Sequence, residues 1–170
     1  MFKRIMVPLD GSKLAEEALD PALAVVSQFG GELLLFRVVT PPHVSVHFDG
    51  VSYAELLVQM REQANWFAND YLQKLQNTLT DDGYNVRYGL VEDEFVAEAV
   101  LEEAHKEEID LIVMSTHGRG GIRRWVFGSI ADKVLRQAEI PVMLIRASEE
   151  AENWEQSSQP EMQTNLPPIK

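Results

Sequence analysis

Short apolar runs alternate along this chain with segments whose apolar residues recur at helical spacing. The run over residues 33–39 is almost continuously apolar, which is typical of a strand buried on both faces. Alternation of this kind implies right-handed crossovers and a parallel sheet with helices on both faces. We therefore expect an α/β domain. The predicted strands are 3–9, 33–39, 85–91, 110–114 and 141–145, and the predicted helices are 15–29, 53–79, 96–104 and 129–138.

Local signals mark where several of these elements begin and end. The segment 10–12, Asp-Gly-Ser, is a turn signal after the first strand, and Ser12 can cap the first helix. Pro21 lies inside that helix and predicts a kink. The pair Gly30-Gly31 predicts where the helix ends.

The composition excludes several classes of partner and chemistry. The chain has no cysteine, which excludes disulfides and cysteine-based zinc sites. A net charge of -12 argues against nucleic acid, because its phosphates would be repelled. No apolar run approaches the roughly 20 residues that span a bilayer, and the N-terminus shows no signal-peptide pattern. We expect a cytoplasmic protein with neither nucleic acid nor membrane as a partner.

The last part of the chain differs in composition from the rest. Residues 148–170 are polar, with five glutamates and three prolines. We expect a folded domain over residues 1–147 and a disordered or loosely docked acidic tail over 148–170. Trp154, Leu166 and Ile169 could anchor this tail on the body or on a partner.

Two strand ends carry residues suited to a nucleotide. The fourth strand leads into a glycine-rich segment, 115–121, which is followed at a fixed distance by Gly128-Ser129. A strand followed by such a loop and then a helix start is how backbone amides cradle phosphates. The first strand ends at Asp10, whose carboxylate can accept hydrogen bonds from ribose hydroxyls. If strands one and four are neighbours, both features face one crevice.

The spacing Ser115-x2-Gly118-x9-Gly128-Ser129 resembles the signature G-x2-G-x9-G-[ST] of ATP-binding universal stress proteins. The segments 5–12 and 128–134 also match this family, so the resemblance covers roughly residues 2 to 146. It implies an open five-stranded parallel sheet with the Rossmann-like strand order 3-2-1-4-5. One position departs from the signature. Ser115 replaces its first glycine and keeps the backbone N–H, but a positive φ or a close backbone approach there would penalise serine.

The resemblance also implies a ligand and the residues that bind it. The ligand is ATP, with a magnesium or manganese ion bridged by its phosphates. Pro8 and Val38 would line the adenine pocket, and Asp10 would lie beside the ribose. Met114 and Ser115 would lie under the ribose and the phosphates.

The phosphate chain would be held by the glycine loop and by the start of the following helix. The residues that the resemblance assigns to it are Gly118, Gly128, Ser129 and Ile130. His117 and Arg119 lie in the same loop and are further candidates for phosphate contact. A solvated arginine and a histidine that packs in the loop are the alternatives for these two.

Several of these residues have a purely structural alternative. Ser129 begins a Ser-x-x-Asp pattern, which is also a variant of the helix capping box. Asp10 can simply stabilise the turn that follows it. His43 and His47 are four residues apart, a metal-binding spacing on a helix, but their segment is not convincingly helical and no third ligand is evident.

Aromatic side chains and the last strand suggest packing and assembly. The long helix contains Trp66, Phe67 and Tyr71, which core packing explains better than cofactor binding. The fifth strand, extended to Arg146, would be an apolar sheet edge if unpaired. The resemblance implies a homodimer in which this strand pairs with its twofold mate.

Three functions stay open from the sequence. The first is a nucleotide-dependent stress or regulatory protein without fast chemistry, since only His117 is placed to activate water. The second is a slow ATP hydrolase or nucleotidyl-transfer enzyme in which His117, Asp10 and arginines act on the phosphates. The third is a dimeric interaction module without nucleotide, which only Ser115 favours.

Overall fold

The computed structural model of the chain describes residues 1–42, 52–116 and 128–146. The strands are β1 (Arg4–Pro8), β2 (Glu32–Val39), β3 (Val86–Glu92), β4 (Leu111–Ser115) and β5 (Val142–Ile145). The helices are α1 (Lys13–Glu16), α2 (Leu19–Phe29), α3 (Ser52–Asp81), α4 (Val96–Lys106) and α5 (Ser129–Gln137). Neighbouring strands pair in parallel in the order β3-β2-β1-β4-β5. The α/β class and the strand order 3-2-1-4-5 are confirmed.

Helices cover both faces of the sheet. Leu33 and Leu35 point into an apolar cluster with α2 and α3, whereas Leu34 and Phe36 point into a second cluster with α4 and α5. All four side chains are at most 2% exposed. Because successive side chains of a strand alternate between faces, a strand covered on both sides must be apolar throughout. This explains the continuous apolar run in β2.

The first predicted helix is broken rather than kinked, so α1 and α2 are separate helices. Pro21 has no N–H to donate to the carbonyl group of Glu17. The N–H of Ala18 bonds to the carbonyl oxygen of Ala15 at 3.2 Å, a tighter turn that separates the helices. Gly30, with φ of 58°, ends α2 in the left-handed conformation, as predicted.

Helix α3 packs on the sheet through its second half. Ala68, Leu72 and Leu79 are buried and form its sheet-facing stripe. Trp66 and Phe67 lie off this stripe and are 62% and 54% exposed, with their rings in a T-shaped contact at 5.1 Å. The expectation that Trp66 and Phe67 pack in the core is therefore wrong.

Candidate functional site

The strand order places a crevice between the carboxyl ends of β1 and β4. Strand β1 pairs with β2 on one side, where Pro8 lies opposite Phe36, and with β4 on the other, where Ile5 lies opposite Leu111. From β1 the chain adds β2 and β3 on one side of the sheet and then β4 and β5 on the other. Ligands bind at such a point, where the strand order reverses. We call this space the β1–β4 crevice, bounded by Asp10 and Ser115. The neighbouring strands that the nucleotide hypothesis required are present.

A turn after β1 holds the carboxylate of Asp10. Its Oδ1 accepts hydrogen bonds from the backbone N–H of Ser12 at 2.9 Å and from Ser12 Oγ at 2.6 Å. Ser12 Oγ also accepts a bond from the N–H of Ala15 at 3.1 Å, which makes Ser12 the N-cap of α1. Gly11 has a φ of 86°, a left-handed conformation that favours glycine. Asp10 thus has the turn-stabilising role, and its bonds to Ser12 fix the orientation of its carboxylate.

The opposite wall begins at the end of β4. Ser115 pairs with Ile145 of β5, is 6% exposed and does not have a positive φ. Its extended backbone suits any residue, so the backbone conformation at this position does not require glycine. Thr116 extends the pairing by one residue, because its N–H donates to the carbonyl oxygen of Ile145 at 2.8 Å.

The start of α5 lies at the same edge of the sheet. Gly128 is its N-cap, and the N–H of Asp132 donates to the carbonyl oxygen of Gly128 at 2.9 Å. Ser129 is already the first helical residue, so the interpretation of Ser129 as the residue that begins a capping box is wrong. Gly128 has no side chain with which to cap this terminus. Its N–H groups and the positive end of the helix dipole suit an anion.

Apolar residues lie on the α4–α5 side of the crevice. Val38 and Met114 pack in the cluster that contains Phe36, and Met114 is 6% exposed. Pro8 follows Met6 of this cluster by two residues in β1 and faces the same side of the sheet. These three of the residues predicted to lie around the adenine and ribose therefore share one face.

A polar cluster that the sequence did not predict lies on the other face. Tyr71 Oη donates to Glu16 Oε1 at 3.1 Å, and Glu16 Oε2 accepts from Lys13 Nζ at 2.5 Å. The guanidinium carbon of Arg37 lies 5.4 Å from the Tyr71 ring centroid. Burial raises the pKa of Tyr71, and the charge of Glu16 and its hydrogen bond raise it further. Arg37, a lone charge in the apolar run of β2, was the available signal.

Other candidates lie outside the described residues. They are His117, Gly118 and Arg119 of the glycine loop, His43 and His47, and the tail residues Trp154, Leu166 and Ile169. In the ranges 1–42, 52–116 and 128–146, no three His, Cys, Asp or Glu side chains group as metal ligands. No helix within the same ranges has the length and hydropathy to cross a membrane.

Comparison with known proteins identifies the family. The model of the universal stress protein family matches residues 1–146. The chain belongs to this family. Universal stress protein MJ0531 of Methanocaldococcus jannaschii is 30% identical over 149 residues, which are 86% of this chain and 83% of that protein.

Solved structures of universal stress proteins share the fold. Protein MJ0577 of Methanocaldococcus jannaschii has a TM-score of 0.76 and 23% identity, over 88% of this chain and 99% of that chain. A universal stress protein family protein from Arabidopsis thaliana has a TM-score of 0.61 and 17% identity, over 87% of this chain and 94% of that chain. At these identities the likeness establishes the fold.

Proposed function

We propose that this universal stress protein binds ATP in the β1–β4 crevice and acts as a nucleotide-dependent stress or regulatory protein. One observation carries the proposal. The pairing of β1 with β4 brings the turn at Asp10, the end of β4 at Ser115 and the N-terminus of α5 at Gly128 to one edge of the sheet. A carboxylate and a helix N-terminus across a switch point suit the ribose and the phosphates of a nucleotide.

The base and the ribose occupy the side of the crevice near β1 and β2. Pro8 and Val38 line the adenine, which suits their half-buried apolar side chains. The carboxylate of Asp10, oriented by Ser12, accepts hydrogen bonds from the ribose hydroxyls. Met114 lies beneath the ribose.

The phosphates occupy the side near β4 and α5. Ser115 lies beneath the first phosphate, and the N-terminal N–H groups of α5 point toward the chain of phosphates. The α5 residues in this proposal are Gly128, Ser129 and Ile130, of which Ile130 is 41% exposed. The glycine loop contributes His117, Gly118 and Arg119. A magnesium or manganese ion bridges the phosphates and takes its remaining ligands from water.

Two structural neighbours support an adenine nucleotide as the ligand. The Arabidopsis thaliana protein has AMP bound. Another universal stress protein, with a TM-score of 0.58 and 18% identity, was solved in complex with cAMP. Our proposal of ATP with a divalent ion is more specific than these two complexes.

Two measurements test the proposal. Mass spectrometry of the denatured, purified protein should detect released ATP or ADP. Calorimetric titration of stripped protein with ATP and magnesium should show saturable binding, which Asp10→Ala weakens. Asp93→Ala is the matched control, because its Oδ1 accepts a backbone N–H two residues later, at 2.7 Å, in the loop after β3. No released nucleotide and no saturable binding would favour the interaction module instead.

Assembly through β5 is part of the proposal. In the described sheet, β5 is an edge strand, and Met143 on it is 37% exposed. Pairing with the β5 of a second copy would give an isologous homodimer and cover this edge. Sedimentation as a monomer at micromolar concentration would contradict it.

The domain limits and the location stay predictions. A folded domain over 1–147 predicts that limited proteolysis removes residues 148–170 and leaves the rest intact. Fractionation of cells should recover the protein with the cytoplasm.

A further inference from the structure

Helix α1 connects the β1–β4 crevice to α3. Its N-cap, Ser12, is bonded to Asp10 through Oγ at 2.6 Å and through the backbone N–H at 2.9 Å. Its last residue, Glu16, donates its N–H to the carbonyl oxygen of Ser12 at 3.3 Å and accepts from Tyr71 Oη at 3.1 Å. A continuous set of hydrogen bonds therefore runs from the Asp10 carboxylate to the side chain of Tyr71.

Helix α1 needs tertiary contacts to keep its orientation. It has four residues, far fewer than a helix needs to be stable by itself. Leu14 and Ala15 bury its inner face, and the Glu16–Tyr71 bond ties its end to α3. A shift of α1 would move Ser12, and with it the carboxylate of Asp10.

Tyr71 itself is held firmly. It packs against the apolar cluster under α2 and α3, and the next residue, Leu72, is fully buried. Arg37 of β2 stacks on its ring at 5.4 Å from the centroid. A tyrosine phenol is protonated at physiological pH, so Tyr71 Oη donates to Glu16, and burial and the nearby Glu16 carboxylate raise the pKa of Tyr71 further.

We infer that Tyr71 is a positioning residue for the nucleotide site, which holds α1 through Glu16 so that Asp10 meets the ribose hydroxyls. This inference rests on the proposed function. It assigns Tyr71 to recognition of the ribose and not to recognition of the phosphates. Loss of the Tyr71 hydroxyl group should therefore weaken the binding of ligands that have ribose hydroxyls and leave the binding of ligands that lack them unchanged.

The test compares Tyr71→Phe with a matched variant, Tyr88→Phe. Tyr88 of β3 donates from its Oη to Asn69 Oδ1 of α3, also at 3.1 Å. This bond joins α3 to β3, a strand that pairs with neither β1 nor β4. Calorimetric titration uses ATP and 2′,3′-dideoxy-ATP, both with magnesium. Loss of one hydrogen bond to a charged group predicts that Tyr71→Phe weakens ATP binding about threefold to tenfold. The dideoxy ligand should bind Tyr71→Phe and the unmodified protein equally, and Tyr88→Phe should bind both ligands normally.

A second variant keeps the test valid if Tyr71→Phe folds poorly. Glu16→Ala removes the same hydrogen bond from the other side and should give the same loss for ATP alone. The double variant should lose no more than either single one, because both act through one contact. Thermal melting should show that each variant is folded at the temperature of the titration.

The possible failures are distinguishable. Equal ATP affinity for Tyr71→Phe and the unmodified protein overturns the inference and leaves the proposed function intact. Equal losses for ATP and the dideoxy ligand also overturn it, because they show a general structural effect. An unmodified protein that binds no ATP overturns the proposed function together with this inference.

Discussion

The backbone N–H of Gly128 donates a 2.9 Å hydrogen bond to the carbonyl oxygen of Thr116. This bond joins the start of α5 to the end of β4, the strand that pairs with β1. A Cβ atom at Gly128 would lie 3.4 Å from that oxygen, and its φ of -52° and ψ of 147° suit any residue. The fold therefore has room for alanine at this position.

Gly128→Ala should separate binding from stability. We expect the free energy of unfolding to change by less than about 1 kcal/mol, measured by urea denaturation. The affinity for ATP should fall, because the added methyl group enters the gap between two backbone segments that we propose to hold phosphate. A large loss of stability would show instead that the fold requires this glycine.

Gly31→Ala should destabilise the protein without any role in binding. An added Cβ would lie 2.8 Å from the carbonyl oxygen of Lys3 and 3.2 Å from Ile5 Cδ1. Such crowding against backbone costs about 1–3 kcal/mol, which urea denaturation would detect. Gly30→Asn is the control, because asparagine tolerates the left-handed backbone and nothing lies within 4 Å of the added Cβ. A greater loss for Gly30→Asn would contradict this reasoning.

Asp110 should contribute to the acid sensitivity of the fold. Its Oδ2 accepts the N–H groups of Lys3 at 2.8 Å and Arg4 at 2.9 Å, and these bonds hold its pKa below the ordinary value of 3.8. A lowered pKa in the folded state stabilises the protein fully above pH 3.8, and this contribution is lost as the pH falls toward the lowered pKa. Asp110→Asn should therefore be less stable than the unmodified protein at pH 7.

The pH series gives the decisive comparison for this carboxylate. The stability difference between Asp110→Asn and the unmodified protein should stay constant at neutral pH and shrink below pH 3.8. Partial exposure of Asp110 to solvent keeps the effect small, so chemical denaturation at matched ionic strength is the suitable measurement. A difference that persists unchanged at low pH would exclude the charge as its cause.

The exposed aromatic pair on α3 should matter little for folding. Trp66 is 62% exposed, whereas Leu72 on the same helix is fully buried. We expect Trp66→Gln to change the free energy of unfolding by less than about 0.5 kcal/mol. Leu72→Ala should lose about 2–5 kcal/mol because it leaves a cavity. Circular dichroism in urea measures the free energy of unfolding of both variants. Similar losses in the two would contradict the observed burial.

Most of the fold could be predicted because each element carries a local pattern. The apolar run at 33–39 became β2 (Glu32–Val39), and the helical periodicity at 53–79 became α3 (Ser52–Asp81). Periodicity shows which residues lie on the same face of a helix or strand, but not which part of the protein covers that face. The same pattern therefore placed Phe67 in the core, although Phe67 is 54% exposed.

The sequence by itself determined the alternating elements and the spacing Ser115-x2-Gly118-x9-Gly128-Ser129, because both are properties of neighbouring residues along the chain. The tertiary structure decided which strand ends meet, that Ser115 has an extended backbone, and that Gly128, not Ser129, caps α5. It alone showed the bond from Tyr71 to Glu16, which are 55 residues apart. Contacts of this kind depend on how helices pack over the sheet, and local periodicity carries no record of that packing.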